Sequence, residues 1–140
     1  LWHDGRISAT RKSAMDPSRP PQVGIYEILQ DFECPAASVR VFRVHSGEAV
    51  LEHVHRRSMQ IYVALEGEAL VDCDGVETRI HPYETVTVWP GTIHGVHAAT
   101  GTAVVMNISV PPLGNDDQVA ASSARPTSSA EVPLPPTVSS

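Results

Sequence analysis

Three histidines carry the most chemistry in this chain. His53 and His55 alternate in L-E-H-V-H, and His94 follows the Pro90-Gly91 turn in P-G-T-I-H. Neutral imidazoles suit zinc, copper, iron or nickel alike, so three of them brought together could hold one divalent ion. Gln60 offers an amide oxygen as a fourth ligand or, set one step back, a hydrogen bond to a water on the ion. Three imidazoles and an amide leave such an ion's charge uncompensated. That strengthens a Lewis acid, lowers the pKa of a bound water, favours anionic ligands such as enolates or carboxylates, and disfavours a ferric state.

An H-x-H pair alone is common on exposed strands, so the elements around it matter. Alternate residues of a strand share a face, which sends His53 and His55 the same way, together with Leu51. On the next apolar run Gln60 and Tyr62 share a face by the same rule. The Tyr62 hydroxyl would then stand beside the histidines, to position a substrate or act as an acid. Leu51, Ala64, Met106 or Ile108, and Val86 or Val88 are the expected inward apolar residues. A pocket of that kind with a cation at its base suits an aromatic or otherwise planar oxygenated molecule. His97, an odd step from His94, is expected outside, as are His3, His45 and His81. Arg56 and Arg57 read as a solvated turn.

The runs that must position these residues are short and rich in valine, isoleucine and threonine, with period-2 alternation in R-V-F-R-V and T-V-T-V-W. Asp74-Gly75 between two such runs predicts a tight hairpin, because both turn positions need positive φ. Strands this closely spaced, with no convincing amphipathic helix between them, predict an all-β sandwich or barrel. Residues 1–22, with Pro17, Pro20 and Pro21, read as an N-terminal arm, and 23–113 as the barrel. Residues 114–140 are rich in Ser, Ala, Pro and Val without periodicity, and are expected to form a mobile tail.

At 140 residues the chain is one domain's worth. A net charge of -6 with no basic stripe argues against nucleic acid as a partner. No apolar run is long enough to cross a bilayer, so no membrane association is expected. Cys34 and Cys73 are far apart and form no C-x-x-C pair, which predicts free thiols and a cytoplasmic location. Nucleophile motifs of the G-x-S-x-G type and glycine-rich phosphate loops are missing.

With these residues in place, the chain resembles the cupins, small double-stranded β-helix or jelly-roll barrels. The family's first motif runs G, five residues, H-x-H, three or four residues, E, six residues, G. Gly47, His53, His55 and Gly67 keep every spacing, and Gln60 stands at the glutamate. In the second motif Gly91 and His94 match, whereas Tyr83, Trp89 and Ala98 replace glycine, proline and asparagine. The resemblance covers roughly residues 23–112. It implies one divalent transition metal (Fe, Zn, Ni, Mn or Cu) on His53, His55 and His94, with Gln60 completing or bracing the set, and a homodimer exchanging N-terminal arms. The expected activity is that of a metal-dependent enzyme on a small oxygenated molecule, by isomerase or cyclase chemistry or by binding O2. The alternatives are a ferrous dioxygenase and a non-catalytic small-molecule-binding module.

Overall fold

The β-branched runs become strands, and the computed structural model describes residues 22–114 and 116–121. In chain order they are β1 (Gly24–Ile25), β2 (Glu27–Glu33), β3 (Ser38–His45), β4 (Ala49–His55), β5 (Met59–Glu66), β6 (Ala69–Cys73), β7 (Val76–Ile80), β8 (Thr85–Val88), β9 (His94–Ala98), β10 (Thr102–Val110) and β11 (Gln118–Ala120). Asp74 and Gly75, at φ 50° and 86°, form the hairpin between β6 and β7, as their sequence predicts. No helix among the described residues is long and apolar enough to cross a membrane. Cys34 and Cys73 are free, half-buried thiols.

Two antiparallel sheets face one another in the expected jelly-roll arrangement without closing edge to edge. One has the order β1-β4-β9-β6-β7, with β11 also on β4; the other runs β2-β3-β10-β5-β8. Between them lies a core that includes Phe42, Val44, Ala64, Val71, Val96 and Val105, all buried. Apolar contact area removed from water is what holds two such sheets together, at about 25 cal/mol per Å².

Three expectations need correcting here. Leu51 does not share a face with His53: it is 55% exposed, whereas Val50 and His53 are buried. The cause is a break in the β4–β9 register between Val50 and His53, a bulge whose extra residue inverts the alternation. Met106 and Ile108 lie on the outer face of the second sheet. Asn107 takes the inward position, because β10 aligns Val105, Asn107 and Ser109 with Phe42, Arg40 and Ser38.

The third concerns the tail, whose first residues are built into the fold. Residues 118–120 pair with 53–55 along the edge of β4 that β1 leaves open, and Asp117 and Ala121 are buried. Residues 1–21 of the N-terminal arm, with His3, and residues 115 and 122–140 lie outside the described residues.

Candidate metal centre

β4 carries His53 and His55 inward beyond the bulge. His94 opens β9 directly across from His53, brought there by the turn at Pro90 and Gly91, whose N–H donates to the His55 carbonyl at 2.9 Å. Their ligand atoms all lie within 4.8 Å of one another, and all three side chains are buried.

Hydrogen bonds fix which ring nitrogens face the centre. His53 Nδ1 lies 2.7 Å from the Leu51 carbonyl and His94 Nδ1 lies 2.9 Å from that of Thr92. A carbonyl can only accept, so both protons sit on Nδ1 and both Nε2 atoms present bare lone pairs. His53 Nε2 approaches His55 Nε2 to 3.1 Å. His94 Nε2 approaches Gln60 Oε1 to 2.8 Å, an acceptor facing an acceptor.

Gln60 cannot readily turn away. Its Nε2 donates to Asn107 Oδ1 at 2.9 Å and to Ser109 Oγ at 3.0 Å, while the Tyr62 hydroxyl donates to Oε1 at 3.1 Å. The amide oxygen is thereby aimed at the histidines.

Extra protons are not the remedy for this crowding of lone pairs. Burial pushes His55 and His94 down to about 3 and lowers His53 as well, the neighbouring His53 adding to the shift for the other two. All three rings are therefore neutral at physiological pH. Neutral imidazoles gathered around an amide oxygen fit a divalent cation, and His53, His55, His94 and Gln60 are the residues that could hold one.

Above the cluster lies a cavity of about 40 Å³ that opens to solvent. Tyr62 lines it, as expected. Ala64 is fully buried in the core but does not line it, and neither do Leu51 and Met106. Val23, Phe42, Val50 and Leu113 take their place, beside the polar Arg40, Asn107 and Gln118. Among the described residues, the one charged side chain in the lining is Arg40. Its Nη2 donates to Asp31 Oδ2 at 3.1 Å, and its Nε has no partner among the described residues. Asn107 spends its oxygen on Gln60 and Ser109, leaving Nδ2 buried without a partner among the described residues.

Arg40 had a signal in the sequence. In S-V-R-V-F-R-V, Arg40 and Arg43 stand an odd step apart and cannot share a face, and Arg40 alternates with the core residue Phe42. Asp117 had none. It is 1% exposed, and its Oδ2 lies 3.4 Å from His55 Nδ1. Of the other histidines, His97 and His81 are on the surface beside glutamates, at 3.5 Å from Glu77 and 3.0 Å from Glu84, and His45 is exposed. Arg57 is likewise exposed, paired with Asp116 at 2.8 Å.

Comparisons with known proteins agree with this fold. The pattern of the cupin domain matches residues 40–111, just over half of the chain. An uncharacterized conserved protein with a double-stranded β-helix domain from Klebsiella pneumoniae is 22% identical, with a TM-score of 0.60 over 79% of this chain and 95% of its own. An RmlC-like cupin protein from Desulfovibrio desulfuricans is 26% identical, with a TM-score of 0.54 over 66% of this chain and 86% of its own. A predicted oxalate decarboxylase from Thermotoga maritima is 14% identical, with a TM-score of 0.54 over 66% and 96%, and shows likeness of fold alone. No curated protein matches the sequence.

Proposed function

The chain belongs to the cupin domain family, and from that premise we propose that it is a metal-dependent enzyme acting on a small oxygenated, enolisable molecule. The observation that carries this reading is the convergence of three buried imidazoles and the Gln60 oxygen at the base of the cavity. His53, His55, His94 and Gln60 would hold a divalent ion there, which would supply Lewis acidity towards a substrate carbonyl, as isomerisation or cyclisation needs.

The remaining roles belong to the chain's own residues. Arg40 and Asn107 line the same cavity, and no carboxylate among the described residues does, which favours substrates bearing an oxyanion. Asp31 holds the guanidinium in place from behind. Tyr62 orients rather than protonates: burial raises its pKa well above the ordinary phenol value, and its proton is engaged by Gln60.

The test is solvent deuterium exchange into small 2-oxo and 3-oxo acids, followed by proton NMR with metal-loaded protein. Exchange beyond the buffer rate, abolished by chelation and weakened in Arg40→Gln, is expected. No exchange by protein holding one equivalent of metal would contradict it. Oxygen uptake with iron-loaded protein would move the reading to a ferrous dioxygenase, and ligand binding without turnover to a binding module.

We further propose that the protein is a homodimer. On the outer face of the second sheet the register lines up Phe32, Val39, Ile108 and Ile61 in one row and Val41, Met106 and Val63 in the next. Such an apolar face is self-complementary to a second copy of the chain.

A further inference from the structure

The family's glutamate would bring a negative charge to the ion, and Gln60 does not. Another carboxylate lies close behind the site. Asp117 is 1% exposed and sits in the turn that leads into β11, where 118–120 pair with 53–55. Its placement is over-determined. Oδ1 accepts from the Arg57 N–H at 2.6 Å, its main-chain oxygen accepts from the Arg56 N–H at 2.8 Å, and its own N–H donates to the Gly114 carbonyl at 3.1 Å. Oδ2 is left facing His55 Nδ1 at 3.4 Å, just beyond hydrogen-bond length.

Neither Oδ2 nor Nδ1 has a hydrogen-bond partner among the described residues, although both are buried. Each is therefore the natural complement of the other. His53 and His94 have their Nδ1 protons anchored by main-chain carbonyls; His55 lacks such a carbonyl and has a carboxylate instead.

We propose that Asp117 is the positioning residue for His55 and the charge partner of the metal centre, replacing from behind the ring the carboxylate that Gln60 lacks. It holds the proton on Nδ1, keeps Nε2 bare, and places one negative charge next to an otherwise neutral ligand set. The start of the C-terminal segment is thereby part of the site, since β11 and the turn before it bring the carboxylate in. This inference rests on the metal-dependent reading above.

The test uses the full chain and zinc alone as the probe. In the metal-free wild type, 15N NMR of the histidines should show His55 protonated on Nδ1. Zinc affinity, measured by competition with a chromophoric chelator, should fall about 10–100-fold in Asp117→Asn. The amide oxygen can still accept from the Arg57 N–H, while the NH2 group meets Nδ1 and drives the ring proton to Nε2. The metal-free melting temperature should stay near that of the wild type. Adding Gln60→Glu to Asp117→Asn should restore most of the affinity, which a merely structural role for Asp117 would not do.

Zinc binding in Asp117→Asn within threefold of the wild type would overturn the inference and leave the metal reading standing. So would His55 protonated on Nε2 in the metal-free wild type, a result that needs no folded variant. A wild type that binds no zinc would overturn both.

Discussion

Gln60 is held by more hydrogen bonds than a bystander would need. Tyr62 fixes its oxygen and Asn107 and Ser109 fix its nitrogen, so one amide is oriented by three neighbours. Removing the phenol hydroxyl in Tyr62→Phe should cost about 1 kcal/mol of folding stability and leave metal stoichiometry intact, as urea unfolding and elemental analysis would show. A complete loss of turnover with unchanged metal affinity would instead make Tyr62 a proton donor. The histidines give a sharper pH signature. Unfolded imidazoles take up protons below about 6.5, whereas folded His55 and His94 do so only near about 3. The unfolded state binds more protons throughout that window, so the metal-free protein should lose stability steadily as pH falls from about 6.5 towards 3. Urea midpoints that stay flat between pH 7 and 4 would contradict it. The three histidines were legible because their spacings survive in the sequence. Asp117 was not, because nothing in N-D-D says that one of two adjacent aspartates turns inward.

At the scale of the element, β4 decides the geometry. Its bulge lets Val50 face the core and His53 the metal centre although they stand an odd step apart, and Leu51 is turned out as a result. Strict alternation misplaced Leu51 because a bulge depends on the partner strand, which no single run of sequence displays. The partner has its own trace, however. Gly95 on β9 passes so close that an added Cβ would lie 2.9 Å from the Val50 carbonyl oxygen. Gly95→Ala should therefore destabilise the fold by about 1–3 kcal/mol and lower metal occupancy, because it pushes β4 and β9 apart between two ligands. Unchanged melting temperature and metal content would show that the bulge yields. Met106 was misplaced for a different reason: in V-V-M-N-I-S-V the apolar Met106 and Ile108 alternate with the polar Asn107 and Ser109, and the apolar face reads as the inner one until pairing with β3 and β5 turns Asn107 inward.

For the whole molecule, the strand runs and turns of residues 23–113 were readable because β-branched residues and the Asp74-Gly75 hairpin act locally. The built-in start of the tail was not, since three residues of strand pair with a segment more than sixty positions away. The apolar outer face of the second sheet predicts a dimer. Light scattering should return twice the mass of one chain, and Ile61→Lys on that face should return the mass of one. A monomeric wild type would remove the claim.

The metal centre is tested most directly by elemental analysis of untagged protein purified without chelator, beside His53→Ala. Close to one equivalent of a single divalent metal in the wild type, lost in the variant, is the predicted result. Wild-type protein that stays empty even after reconstitution would contradict it.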